Sequence, residues 1–458
     1  MLDLLRRLWS AVEKPFTAEP PAAVPAATPV QRPLPGAPAL QDFVRRESLI
    51  DRAERIAGYE FSLFSGLQER LKQRSSKARR AYDAALLTRL SGTDGAPLLG
   101  QRLALVQLAV DSLQDPLLSG LPAQNTVLML DVAQPQADWE TLGARAAALV
   151  AKGFFIGLHI PSAHAMASPL LARADFIQVD VAGFDGLELR EMVARLRTQR
   201  SAHRRRPLLL ARNLRSHDEF LFSKKCGFDF FQGPFVNNPR SLKTPERGGI
   251  NRMVVLPILN MVRADESFAA IAGQLRSEPT LSFKLLRYLN SSAMGLQVRV
   301  ESLSEALALI GREKFYRWMS LLLFDFNNPS YWERSLSERA LTRGRTLELL
   351  AGQGAIPALH DLLFLTGLFS LLDLALQLPM AELLEQAALP EPVSQALLGQ
   401  PGALRDALHL VSLGEADTPT DPATWAGALQ RCGLDDARFG VAANQALVWA
   451  SAALGAVE

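Results

Sequence analysis

Thr126-Val127-Leu128-Met129-Leu130-Asp131-Val132 and Phe154-Phe155-Ile156-Gly157-Leu158-His159 are nearly continuous apolar runs. A strand with one wet face would alternate polar and apolar residues, so these runs predict strands buried on both faces, as in a parallel sheet covered by helices. Four more runs follow the same rule: Leu103–Leu108, Phe176–Val181, Leu208–Ala211 and Phe228–Phe230. Helical stretches separate them, and Leu187–Arg197 turns Leu189, Val193 and Leu196 to one side and its charges to the other. Six strands within residues 42–247 leave room for two more, which suits a closed α/β barrel and an open doubly wound sheet equally.

Beyond Gly248 and Gly249 the strand pattern stops and helical periodicity runs to the end of the chain. Ser302 and Glu305 form a capping box ahead of an apolar face of Leu303, Ala306, Leu307 and Ile310, and Gly311 is expected to end that helix in the left-handed conformation. Similar faces occur in Phe268–Leu275, Leu281–Leu289, Ala340–Leu350, Leu362–Leu376 and Ala443–Leu454, so residues 248–458 read as an all-α unit.

Residues 1–14 space Leu2, Leu5, Trp9 and Val12 as one face of a short amphipathic helix, and residues 15–41 are a Pro/Ala-rich flexible linker. The 458 residues carry 49 Lys+Arg against 47 Asp+Glu, so no global field gathers nucleic acid or anionic lipid. Cys226 and Cys432 lie far apart and form no CxxC pair, which disfavours a disulfide framework, a zinc knuckle and a thioredoxin-type redox site and fits a reducing cytoplasm. Leu362–Leu372 and Gly440–Val457 are too short or too interrupted for a membrane span and read as buried helices. No secretory signal is expected at the N-terminus.

Gly58-Tyr59-Glu60 and Cys226-Gly227-Phe228-Asp229-Phe230-Phe231-Gln232-Gly233-Pro234-Phe235 resemble the start and the closing strand of EAL-type cyclic di-GMP phosphodiesterase domains. Ser302–Gly311, Leu286–Ser292 and Phe364–Asp373 are similar to segments of HDOD domains. Over residues 47–458 the chain thus resembles the bacterial EAL–HDOD hybrid signalling family. The fold this implies is α/β plus all-α: an EAL-like (β/α) barrel followed by an HDOD helical domain.

An active EAL site holds two divalent cations with carboxylates and an Asn at the C-terminal ends of the barrel strands. Against that pattern, Glu60 remains, but Phe64 stands where a phosphate-clamping Arg is expected, Gln107 where a ligand Asn is expected and Met129 at a carboxylate position. His159-Ile160-Pro161-Ser162 replaces an Asp-Asp-Phe-Gly motif, Asp180 matches the strand-end Asp of a Lys-Ile-Asp motif, and Arg212 and Arg215 fall in the segment that is otherwise Ala-Glu-Gly-Val-Glu-Thr. Gln232 belongs to the closing QG turn. One Glu facing two Arg predicts repulsion of a cation, about 4 kcal/mol for unit charges 4 Å apart at an effective dielectric near 20. The resemblance therefore implies a degenerate site with no metal, no cofactor and no catalytic residue, and the chain is expected not to be an enzyme.

In the helical unit His360-Asp361 lies upstream of the Gly367-Leu368-Phe369 turn, ahead of the place an HD-type metal dyad would take, and reads as a helix-start pair, as does His217-Asp218. The one strong basic run is Arg195, Arg197, Arg200, His203, Arg204, Arg205 and Arg206, without interleaved aromatics. Three functions stay open. The first is a catalytically silent scaffold or regulator in bacterial signal transduction, cytoplasmic, binding protein partners such as signalling kinases or a second copy of itself. The second is a non-hydrolysing cyclic di-GMP sensor using Arg212 and Arg215, and the third a nucleic-acid-binding regulator using Arg195–Arg206, with Arg204, Arg205 and Arg206 at its centre.

Overall fold

A computed structural model describes residues 44–63, 76–92, 96–99, 102–131, 139–161, 170–171, 174–198, 206–237, 252–289, 302–325, 329–352, 360–387, 389–415 and 420–455. The expected N-terminal helix and linker lie outside these residues.

Eight strands close into one barrel in sequence order. They are β1 Val44–Asp51, β2 Ile56–Leu63, β3 Leu103–Ala109, β4 Thr126–Asp131, β5 Phe155–Ile160, β6 Phe176–Asp180, β7 Leu208–Arg212 and β8 Phe230–Phe231. The two strands missing from the sequence pattern are β1 and β2. β1 runs antiparallel to both neighbours, pairing Glu47 with Glu60 on one side and Ile50 with Phe231 on the other, while β2 to β8 are parallel. That reversed strand closes the ring, so the structure chooses the barrel over the open sheet. The strand expected at Phe228–Phe230 lies at Phe230–Phe231, because Asp229 is used to hold Arg197 and the backbone N–H of Leu209.

The barrel helices are α1 Ser76–Ser91, α2 Ala96–Leu99, α3 Trp139–Ala151, α4 Gly186–Thr198 and α5 His217–Cys226. α4 buries Leu189, Met192, Val193 and Leu196 on the sheet, the face its periodicity predicted. α5 starts on Ser216, whose hydroxyl accepts from the Glu219 N–H at 3.2 Å. Inside the barrel Leu49, Leu105, Val127, Met129, Phe176 and Leu210 form a separate apolar plug.

Thirteen helices follow among the described residues: α6 Arg252–Arg263, α7 Phe268–Arg276, α8 Pro279–Leu289, α9 Leu303–Ile310, α10 Arg312–Leu322, α11 Tyr331–Gly352, α12 His360–Phe369, α13 Leu372–Leu376, α14 Met380–Gln386, α15 Glu391–Leu397, α16 Ala403–Glu415, α17 Pro422–Arg431 and α18 Asp436–Gly455. Ser302 caps α9 as expected, but Gly311 has φ 78° and ψ 162°, outside the left-handed region. It serves at once as the end of α9 and the residue before α10, and this geometry turns the chain directly into the next helix. The single face expected over Leu362–Leu376 is split into α12 and α13, with Ser370 at the break. Its hydroxyl donates to the Gly367 carbonyl at 2.7 Å and accepts from Arg343 at 3.0 Å. α11 begins earlier than its apolar face suggested, at a capping box in which the Glu333 carboxylate accepts from the Ser330 N–H at 2.9 Å.

One apolar cluster runs from the barrel's outer layer into the helical unit, and α11 is the hinge of that contact. Phe220 stacks on Phe235 with centroids 5.2 Å apart, and Tyr331 of α11 lies 5.7 and 5.4 Å from them. Nearby, the buried Arg46 of β1 pairs with Glu338 of α11, and Glu338 also accepts from the Tyr59 hydroxyl at 2.7 Å. A second core around Trp425 and Phe439 belongs to the C-terminal helices.

Candidate functional site at the mouth of the barrel

Side chains alternate along a strand, so every second residue faces the barrel interior. Above the apolar plug, whose upper layer includes Met129, this brings Glu60 of β2, Gln107 of β3, Asp131 of β4, His159 of β5, Gln178 and Asp180 of β6 and Arg212 of β7 to the C-terminal end, with Gln232 just past β8. Hydrogen bonds across the barrel tie the middle of this group together. One Glu60 oxygen accepts from Gln178 Nε2 at 3.0 Å and Gln232 Nε2 at 2.9 Å, and the other from the Arg212 guanidinium at 3.0 Å. Arg212 also reaches Gln107 Oε1 at 3.4 Å.

Burial pushes the Glu60 carboxyl up, yet Arg212 and the amides of Gln232 and Gln178 outweigh it and hold the group below the usual carboxylate range. Arg212 is lowered by burial and raised by Glu60, Glu47, Asp180 and Asp131, with the net upward. His159 is pulled down to about 4 by burial and by Arg212, so its ring is neutral at pH 7. Both ring nitrogens of His159, the Arg212 Nε and the Gln178 Oε1 are buried without a hydrogen-bond partner among the described residues. Buried polar atoms are normally paired, which marks this cluster as a place prepared for a polar partner.

Asp131 is held by Arg79 at 2.6 Å, and Asp180 accepts from Asn213 Nδ2 at 2.5 Å and the Ala182 N–H at 3.2 Å. Met129 is fully buried and fills the interior beside Gly157, where a Cβ would come within 2.1 Å of its sulfur. Arg215 lies exposed on the rim with its backbone N–H on Glu219 at 2.7 Å. Phe64, Arg204 and Arg205 fall outside the described residues; Arg206 is exposed, and within the basic run Arg197 is taken up by Asp229 at 2.8 Å. α12 starts at His360, and His217 sets its Nδ1 3.0 Å from the Tyr331 hydroxyl.

The electrostatic picture drawn from the sequence needs correction. Motif positions alone counted one Glu against two Arg, but folding sets four carboxylates, Glu47, Glu60, Asp131 and Asp180, around Arg212 and leaves Arg215 outside. Glu47 and Asp131 escaped notice because only the β1–β2 and β4–β5 registers aim them at the mouth. Gln178 was also missed, though a lone amide inside the apolar run Phe176–Val181 was a usable signal. Among the described residues Glu60 accepts from three donors, and Asp131 and Asp180 have partners of their own. Among the described residues no three His, Cys, Asp or Glu side chains group as a metal would require.

Residues 252–388 match the HDOD domain family. The chain is 26% identical over 399 residues to cyclic di-GMP phosphodiesterase CdgJ of Vibrio cholerae serotype O1, covering 85% of this chain and 87% of that protein. Among solved structures it is similar to a standalone EAL protein of Vibrio cholerae O395 in its c-di-GMP-bound form, at 16% identity and TM-score 0.34 over 42% of this chain and 90% of that one. It is also similar to Klebsiella pneumoniae BlrP1 in a calcium/cy-diGMP complex, at 14% identity and TM-score 0.35 over 43% of this chain and 55% of that one. The expectation that the chain is not an enzyme is overturned by the CdgJ alignment, which runs through the barrel to a protein named as a phosphodiesterase. A count of residue types at motif positions missed the charges that folding collects around them. Among the described residues no helix is long and apolar enough to cross a membrane. The chain thus carries an HDOD domain at residues 252–388 behind a closed eight-stranded α/β barrel.

Proposed function

We propose that this chain is an EAL–HDOD protein of cyclic di-GMP signalling and that the mouth of its barrel engages the dinucleotide. The observation that carries the reading is the set of buried, unpartnered polar atoms around Glu60: the His159 ring, the Arg212 Nε and the Gln178 Oε1. A phosphodiester offers acceptors for Arg212 and neutral His159, and its base edges offer donors for Gln178. The similarity to CdgJ over most of both chains supports the same substrate class. Glu60 orients Arg212, while Gln107 and Gln232 hold that pair in place. In this proposal the barrel unit ends near residue 247 and the helical unit takes residues 248–458.

Calorimetric titration of the full chain with cyclic di-GMP, followed by chromatography of the same samples for linear product, tests both binding and turnover. Saturable heat that disappears in Arg212→Ala and weakens in His159→Ala is expected. No heat from the unmodified protein at high ligand concentration would refute the proposal.

A second reading, a regulator that acts by binding proteins, is favoured by Phe283 of α8 and Leu309 of α9. These neighbouring helices leave the two side chains 61% and 52% exposed. Phe283→Asp with Leu309→Asp would abolish capture of a partner kinase or of a second copy while leaving cyclic di-GMP binding unchanged.

A further inference from the structure

Between β1 of the barrel and α11 of the helical unit lies a cavity of about 130 Å³. One wall comes from Arg45 and Glu47 of β1, the other from Arg339 and Thr342 of α11, and Val411, Phe439 and Leu447 of α16 and α18 close its apolar side. The polar face of α11 is unusual for a helix buried between two units. Ser335 donates to Asn237 at 3.2 Å and Glu338 takes Arg46, but the Thr342 Oγ1 is buried with no partner among the described residues.

The charges at this joint do not cancel. Among the described residues, Arg46, Arg339 and Arg343 share Glu338 and Glu415 here, which leaves one positive charge in excess in this ion-pair group. Arg46 is closed on Glu338, and Arg343 takes both oxygens of Glu415 at 2.9 and 2.8 Å. Arg339, by contrast, has its Nε 3.6 Å from Glu415, beyond hydrogen-bond reach. A guanidinium held only by charge, an orphan hydroxyl three residues along the same helix and an apolar floor form a two-part recognition surface.

We propose that this cavity between the two units binds a small organic monoanion, a carboxylate with a short apolar tail. The carboxylate accepts from Arg339 and from the Thr342 hydroxyl, neutralising the excess charge, and the tail lies among Val411, Phe439 and Leu447. The space is close to the roughly 150 Å³ that accommodates a benzene-sized body, which sets a tail of about five carbons. Both units contribute walls, so an occupant strengthens their contact. It also abuts β1 at Glu47, the residue paired across the ladder with Glu60.

Thermal unfolding of the full chain in sodium hexanoate tests this, with sodium acetate, sodium chloride and hexylammonium chloride at equal ionic strength as the other arms. Hexanoate is expected to raise the melting temperature saturably, acetate less, and chloride and hexylammonium not at all. Arg339→Gln is expected to weaken hexanoate binding by about tenfold or more. The near-isosteric Thr342→Val weakens it as well, and Val411→Trp, which fills the cavity, abolishes it. Absence of a saturable hexanoate effect up to about 20 mM, or equal effects on wild type, Arg339→Gln and Thr342→Val, would overturn the proposal. Cyclic di-GMP titration of the same samples reads the barrel mouth separately, so failure at one site is distinguishable from failure at the other.

Discussion

Replacing Arg212 with Met tests the electrostatics of the barrel mouth most directly. Glu60 is buried and accepts from the Arg212 guanidinium at 3.0 Å, with the Gln178 and Gln232 amides on its other oxygen. Removing one partner of a buried ion pair costs about 3–5 kcal/mol, and the two remaining amides place Arg212→Met at the lower end. The pH dependence is the sharper test. In the wild type the Glu60 carboxyl sits below its ordinary value of 4.5, so its stabilisation is complete above that value and lost as pH falls through the lower one. Without Arg212, burial dominates and the carboxyl rises above 4.5; its stabilisation is then complete below 4.5 and lost as pH rises. His159, held down to about 4, loses stability on acidification from 6.5 and is removed from the comparison by carrying His159→Gln in both backgrounds. Because the fall from Asp83 is common to both proteins, urea denaturation between about pH 4 and 7 should give a stability difference between them that widens as pH rises. Parallel curves, or a loss below about 1 kcal/mol on removing Arg212, would show that the guanidinium does not neutralise Glu60.

Asp83 is pushed up to about 6 by burial, despite accepting from the Ser112 hydroxyl at 2.6 Å and the Ala109 N–H at 2.8 Å. Its contribution is complete below 3.8 and lost as pH rises through 6, so Asp83→Asn should flatten that fall and stabilise the protein at alkaline pH by up to about 3 kcal/mol, read by denaturant midpoints. Gly157→Ala drives a methyl to within 2.1 Å of the Met129 sulfur and should cost about 1–3 kcal/mol. Most of that loss should vanish in a Met129→Ala background, and a double-mutant cycle showing additive effects would contradict the packing described.

The parallel strands were legible because burial on both faces leaves an uninterrupted apolar run, as in Thr126–Val132, and the helices because one face of α4 or α9 repeats every three or four residues. β1 escaped because Val44–Asp51 carries Arg45, Arg46 and Glu47 among its apolar residues. Arg46 finds its partner far away in sequence, at Glu338 of α11. The break at Ser370 was hidden for the same reason, since its partner Arg343 lies on another helix.

The sequence alone determined the order of the two units, the residue types available near the barrel's end and the survival of Glu60. Those are local properties, set by side-chain period and by composition. Only the tertiary structure decided that the sheet closes, that Glu60 and Arg212 share a bond, that Glu47 and Asp131 join them, and that an unbalanced charge is left between β1 and α11. Electrostatic energy depends on distance through space, and residues 152 positions apart become neighbours at 3.0 Å only once the barrel is closed.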